Sequence, residues 1–381
     1  MKKNHLFTPG PTPIPHDALL AMAQPIDYHR SEESTALILD VLEKLKHVFQ
    51  TENDVLFLTS SGTGAMEGAV ANLLCRGDKV IVIRSGKFGE RWGEICAAYG
   101  INVIPIDVKY GDSVPPETVE TQISENPDTK AVFATLCETS TGALHDIQSI
   151  AHITQQTPTL LVVDAVSALG ADDLQMDNWG VDVVVSCSQK GLMTPPGLAF
   201  AALSSRAWQA TERSDLPTYY LDYRKAHQRG LEGSVPYTPA ITLLAGLQIA
   251  LNYICTEGIR RTISRHSLMA SATRNAIKAI GLPLFATSPA NTLTSIRLPD
   301  EIDGKTFVKM MREKHGITYA GGQAELRGKI VRIAHLGWMN ENDVIVAISA
   351  FERGLADIGY DMSIGAGVTA VQEIFSTKIL D

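Results

Sequence analysis

Two apolar runs of this chain end in groups that could do chemistry. Leu160-Leu161-Val162-Val163-Asp164 delivers a carboxylate, and a second run leads into Ser186-Cys187-Ser188-Gln189-Lys190-Gly191 and delivers an amine. If both runs are strands, Asp164 and Lys190 stand at one edge of a sheet. Pyridoxal phosphate needs that pair: an amine to condense with its aldehyde, and a carboxylate to keep its ring nitrogen protonated. Alone, each residue is better explained as a solvated surface charge, because most Lys and Asp side chains are solvated. The neighbouring motifs favour the cofactor.

A phosphate would find its place at Thr59-Ser60-Ser61-Gly62-Thr63-Gly64-Ala65-Met66-Glu67-Gly68, which follows an apolar run and opens a helical pattern. Free N–H groups at a helix start, small hydroxylated residues and glycines that permit close approach make an anion cradle. A dinucleotide site is the rival. Gly68, however, falls one position late for G-x-G-x-x-G, and the next strand, Val80–Ile83, leads to Arg84 with no acidic residue for a ribose. A phosphate monoester fits better.

These residues need a frame to hold them. Val55–Thr59, Val80–Ile83, Asn102–Ile106, Ala131–Leu136, Leu160–Val163 and Val183–Ser186 read as strands, with helical patterns over Gly64–Cys75, Gly89–Tyr99 and Thr118–Ser124 between them. Near-continuous apolar strands alternating with helices predict an α/β fold with a mostly parallel sheet covered on both faces. Ligands in such sheets sit beyond the carboxyl ends of the strands, where Asp164 and Lys190 would be. A long helix over about Ala240–Thr256 closes this region. Beyond it the chain reads as His266–Ala279 helical, Thr292–Leu298 extended, Gly304–His315 helical, Lys329–Ala334 extended and Glu341–Asp357 helical, with Asn340 as the last helix's N-cap. A length of 381 residues exceeds what one core usually holds, so we expect an N-terminal segment (1–20) lining the site, a large domain (21–256) and a small α+β domain (257–381).

Composition narrows the setting. A net charge of −9 argues against nucleic-acid and anionic-membrane partners. The longest apolar stretch, Ala240–Ile254, is interrupted by Thr242, Gln248 and Asn252 and is too short to span a bilayer. The first residues show two lysines and no apolar core after them, unlike a secretory signal. Five cysteines without a Cys-x-x-Cys pair suggest reduced thiols in the cytoplasm, with no zinc or other metal site and no disulfide framework.

Thr8-Pro-Gly-Pro-Thr12, the Ser-Gly-Thr-Gly turn, Glu138-Thr-Ser-Thr-Gly142, Asp164-Ala-Val-Ser167, Ser188-Gln-Lys190 and Gly328-Lys-Ile-Val-Arg-Ile333 occur in this order. The series resembles class V aminotransferases of the alanine/serine–glyoxylate type, which have PLP fold type I, across nearly the whole chain. The resemblance implies a PLP-dependent homodimer that moves the amino group of a small amino acid, alanine or serine, to a 2-oxo acid such as glyoxylate or pyruvate. Lys190 matches the family's cofactor-bearing lysine and Asp164 its ring-nitrogen partner. Val166 and Phe88 match the residues on the two ring faces; Ser61, Gly62, Thr63 and Gln189 match phosphate contacts. Ser140 matches the residue beside the cofactor's phenolic oxygen, although Thr139 could serve instead. Thr238, in Ser234-Val-Pro-Tyr-Thr-Pro239, matches a threonine that reaches the neighbouring subunit's phosphate. The chain departs from the family at Val235, where many relatives carry threonine.

Arg332 is the candidate for the substrate carboxylate. Its planar fork binds a carboxylate bidentately, and an Arg inside an apolar strand is costly without a partner. The Gly10 turn matches a segment that lines the substrate pocket. His29 is read as a hydrogen-bonded structural residue. A desulfurase or lyase of the same fold, or a non-catalytic relative, remain alternatives. A desulfurase would want an exposed cysteine late in the chain, and the last, Cys255, falls in a predicted helix.

Overall fold

The computed structural model describes residues 3–377. The chain opens with a short strand, β1 (His5–Phe7), and two helices, α1 (His16–Met22) and α2 (Glu32–Phe49). Ser31 starts α2: its hydroxyl accepts from Ser34 N, and Glu32 and Glu33 occupy the first turn, where acids favour the helix dipole. Then come β2 (Val55–Leu58), α3 (Gly62–Leu73), β3 (Lys79–Arg84), α4 (Lys87–Ala98), β4 (Asn102–Asp107) and β5 (Ala131–Thr135). A small hairpin, β6 (Cys137–Glu138) with β7 (Ala143–Leu144), precedes β8 (Leu160–Asp164), β9 (Val183–Cys187) and β10 (Ala199–Leu203).

Seven of these strands form one sheet in the order β2-β10-β9-β8-β5-β3-β4. β4, β3, β5, β8 and β9 run parallel, and β10 is antiparallel to both its neighbours. The mostly parallel α/β sheet expected from the sequence is therefore present. Its central strands β5, β8, β9 and β10 are buried along their whole length, which is why they read as unbroken Val, Leu, Phe and Ala runs. One apolar layer packs Ile38, Leu45 and Phe49 of α2 with Leu244 and Leu251 of the helix Ile241–Glu257 on one side of the sheet. Met66, Val70, Trp92 and Phe133 build the layer on the other.

A second sheet holds β1 together with three late strands, β11 (Leu293–Arg297), β12 (Ile317–Gly321) and β13 (Ile330–Ala334), in the order β1-β12-β13-β11. The first strand of the chain thus belongs to the last sheet, paired parallel to β12 from His5–Ile317 to Phe7–Tyr319. Its consequence is positional. The segment from Thr8 to Thr12 runs from the small sheet straight to the end of β9, where Thr12 Oγ1 donates to the Lys190 carbonyl at 2.9 Å. The helix Glu341–Asp357 begins at Asn340 with a capping box to Asp343. No helix among the described residues is long and apolar enough to cross a membrane.

Candidate active site

β8 and β9 are neighbouring parallel strands, with Asp164 in register with Val185. Both therefore end at the same edge, and the two groups named from the sequence meet there, both buried. Asp164 Oδ1 accepts from Val166 N at 2.7 Å. Val166 itself lies beyond the end of β8, not within it, because the chain turns at Asp164 to form that bond. Burial pushes the Asp164 carboxyl up to about 7, with the Val166 amide opposing and the charge of Glu138 adding to the rise. Burial likewise pulls the Lys190 ammonium down from its ordinary value, so the amine gives up its proton more readily than a surface lysine. Lys190 Nζ donates to the carbonyl of Pro9. Gly10, with φ +111°, must be glycine: a Cβ there would stand 2.4 Å from the Lys190 Cδ and Cε.

The turn after β2 makes the start of α3. Ser61 is its N-cap in extended conformation, without a side-chain cap bond, and the first turn carries no acidic residue. Gly62 is the first helical residue; a Cβ there would meet Val166 Cγ2 at 2.8 Å, so the glycine lets the helix start close against the ends of β8 and β9. The Thr63 hydroxyl accepts from Arg91 Nη1 at 3.1 Å, and the same guanidinium lies 4.8 Å from the centre of the Phe88 ring. Arg91 was not anticipated from the sequence. Nothing marks it within α4, and only the packing of α4 against α3 brings it to the turn after β2.

Gln189 Oε1 is buried with no hydrogen-bond partner among the described residues. The Ser140 hydroxyl donates to Glu138 Oε1 at 2.5 Å and accepts from Lys87 N at 3.1 Å, while Thr139 Oγ1 shares a 2.5 Å bond with Ser167 Oγ. Arg332, on β13, is buried and reaches across from the small sheet. Its Nη1 donates to Thr139 O at 2.6 Å, and Nε and Nη2 donate to Gly321 O at 3.1 and 2.8 Å. Of its five N–H groups, three are used on backbone carbonyls, and no carboxylate pairs with it among the described residues. Burial lowers its guanidinium to about 10, against which the nearby Glu138 charge holds it up.

Asp164, Val166, Gly62, Thr63, Phe88, Thr139, Ser140 and Arg332 are brought together by these contacts, and Lys190, held by Pro9 and Thr12, lies within electrostatic reach of Asp164 and Arg332. Thr238 is not among them. It is exposed on the loop before the helix Ile241–Glu257, beside Thr59 and Tyr220 and facing outward.

The chain matches the family Aminotransferase class-V over residues 5–336. It belongs to that family. The chain is an aminotransferase, and membership implies dependence on PLP. Among class-V relatives, the "Serine--glyoxylate aminotransferase" of Hyphomicrobium methylovorum is 36% identical, covering 98% of this chain and 94% of its own. A solved alanine–glyoxylate aminotransferase from Nostoc sp. is 31% identical with a TM-score of 0.89, covering 93% of this chain and 96% of its own. A protein of Synechococcus sp. named "Soluble hydrogenase, small subunit" is 40% identical over 98% of this chain and 99% of its own.

The residues present fit PLP. Asp164 offers a buried carboxylate whose one hydrogen-bond partner among the described residues is a backbone amide, and Gln189 keeps a buried oxygen without a partner among them.

Proposed function

We propose that this chain transfers the amino group of a small amino acid to a 2-oxo acid, with Lys190 carrying PLP and Arg332 holding the substrate carboxylate. The observation that carries the reading is the meeting of three buried groups of matched chemistry: Lys190, Asp164 and Arg332. When bound, PLP supplies an electron sink for the pair left at the substrate's Cα. The Lys190 amine, whose hold on its proton is weakened by burial, takes the proton from Cα and returns it on the other side of the transfer. Asp164 would hold a proton at the ring nitrogen; burial raises the carboxyl's own affinity for protons, and a cationic partner there would bring it back down.

Gly62 and Thr63 hold the phosphate at the start of α3, with Ser61 and Gln189 at its rim. Val166 and Phe88 would lie against the two faces of the ring. Of the two candidates for the phenolic oxygen, Thr139 has the better claim, because the Ser140 proton is already given to Glu138, whereas Thr139 and Ser167 share one contact and leave one hydroxyl proton over. Thr238 points outward and is assigned to the partner's phosphate in a homodimer. We take residues 21–256 and 257–381 as the two domains, joined by the 1–20 segment, in a cytoplasmic protein.

The names of the class-V relatives support glyoxylate as acceptor and serine or alanine as donor. The Lys190 centre gives no part to a desulfurase-type thiol: burial pushes Cys187 up to about 12, and Cys137 also rises, away from the reactive thiolate form. Nor does it match the hydrogenase name of the Synechococcus relative, which speaks of chemistry for which a lysine amine and a carboxylate have no use. The test is a panel of amino donors and oxo-acid acceptors with mass spectrometry of the products. Formation of glycine from glyoxylate and a small amino acid is expected, and no amino transfer with any pair would refute the reading.

A further inference from the structure

Glu138 has no role in the reaction as derived above, yet it is completely buried at the centre of the site. Its Oε2 accepts from Phe88 N at 3.0 Å and Gly89 N at 2.9 Å; its Oε1 accepts from Ser140 N at 3.0 Å and Ser140 Oγ at 2.5 Å. No lysine or arginine side chain forms an ion pair with it among the described residues. Burial raises this carboxyl's affinity for protons, and the four donors at its oxygens oppose that rise by favouring the anion.

The donors explain the placement. α4 has glycine as its N-cap, so it has no capping side chain of its own. Its first N–H groups, on Lys87, Phe88 and Gly89, are satisfied instead from the Glu138–Ser140 turn: Ser140 Oγ takes the first and Glu138 the next two. The negative charge sits at the positive end of the α4 dipole. Gly86 is required by this arrangement, since a Cβ there would lie 2.4 Å from Ser140 Oγ and 2.5 Å from Glu138 Cδ.

We propose that Glu138 is the positioning residue of this site: its carboxylate caps α4 from outside and fixes the Phe88 ring, the Ser140 hydroxyl and, through Thr139 O, the Arg332 guanidinium in one frame. Its second effect is electrostatic. Glu138 supports the charge of Arg332 without touching it, so the guanidinium is not consumed by an internal salt bridge, and the two N–H groups not given to Thr139 O and Gly321 O are left for a substrate carboxylate. This rests on the PLP reading above and deepens it.

The test compares wild type with Glu138→Gln and, independently, Gly86→Ala, which pushes the carboxylate away sterically. In the first variant an amide NH₂ faces backbone N–H donors. PLP binding by absorbance titration should weaken about 10- to 100-fold, the scale of one lost charge-assisted hydrogen bond. The visible circular dichroism of bound PLP should change shape as the Phe88 platform shifts. KM should rise for carboxylated donor and acceptor alike, and Glu138→Gln should add little to KM once Arg332→Ala is present, because the two act on one element.

Wild-type PLP affinity and dichroism in Glu138→Gln would overturn the proposal. So would a drop in the thermal midpoint of the cofactor-free protein with unchanged PLP binding, which marks a role in folding alone. If Glu138→Gln does not fold, Gly86→Ala decides by the same two readouts. Failure of wild type itself to take up PLP would sink the cofactor reading, whereas a wild type that binds PLP beside an unaffected variant would sink only the role given to Glu138.

Discussion

Asp164→Asn separates the cofactor role of this residue from any contribution to the fold, because the two roles predict opposite signs. In the protein stripped of cofactor, burial pushes the Asp164 carboxyl from its ordinary 3.8 up to about 7. A carboxyl whose affinity for protons rises on folding stabilises fully below its unfolded value and loses that stability as pH climbs through the folded value. Above pH 7 the ionised group therefore costs the fold up to about 4 kcal/mol. An amide of the same shape removes this cost and keeps the acceptor for Val166 N, but buries an NH₂ group that takes back about 1–3 kcal/mol if it finds no acceptor. The expected net result is a cofactor-free variant more stable than wild type by about 1–3 kcal/mol at pH 8. The gain should shrink as pH falls from 7 towards 4, where the wild-type carboxyl is neutral. Asp172, also pushed up to about 7 by burial, contributes its own slope equally to both proteins, so the difference between them isolates Asp164. Thermal midpoints of the stripped proteins from pH 4 to 8.5 provide the assay. The reconstituted variant should lose most of its turnover, with the loss in the chemical step, since a neutral amide cannot hold the ring proton as charge develops. Parallel stability curves for the two proteins, or near-normal turnover at neutral pH, would refute the reasoning.

Borohydride reduction and peptide mapping should place the cofactor on Lys190, and Lys190→Ala should retain weak PLP binding while turnover falls by many orders of magnitude. Arg332→Lys should cost carboxylated donors and acceptors equally, about 30- to 5000-fold in catalytic efficiency, because an ammonium cannot reproduce the fork; amines without a carboxylate, poor donors from the start, should be hardly affected. Gly10→Ala should abolish activity more than stability, since its Cβ falls on the Lys190 side chain and its φ is left-handed.

The buried strands were legible because each is a short unbroken apolar run, and Asp164 and Lys190 because each follows such a run directly. β10 was not: Ala199-Phe-Ala-Ala-Leu203 is alanine-rich, and it is a strand through burial between β2 and β9, not through propensity. Helix starts were missed where the cap lies elsewhere in the chain. α4 begins at Lys87, two residues before Gly89, because Glu138 and Ser140 supply its capping bonds. The helix expected from His266 begins at Ile259, in a stretch of Arg and Ser with little apolar periodicity; Gly258, at φ +83°, ends one helix and opens the next. The pairing of β1 with β12, and the place of Arg91 beside Thr63, are contacts between distant parts of the chain that no local pattern encodes.

Arg332 is built on the small sheet but bonded to both halves of the site, through Gly321 O on its own sheet and Thr139 O on the turn beside the large one. Lys190 is tied the same way in reverse. It follows β9 of the large sheet, and its backbone and side chain are held by Thr12 and Pro9, from the segment that leads out of the small sheet. Each of the two groups is therefore held in part by a segment outside the sheet that carries it. A displacement of one sheet against the other would break hydrogen bonds at both groups together. The separation between the amine and the proposed carboxylate-binding fork is accordingly fixed by five backbone-directed hydrogen bonds, not by the stiffness of two long side chains. That separation must match the distance from Cα to the carboxylate of one amino acid, which is the same for donor and acceptor. Two chemically different substrates can then use one site in turn, with specificity left to whatever surrounds the side chain.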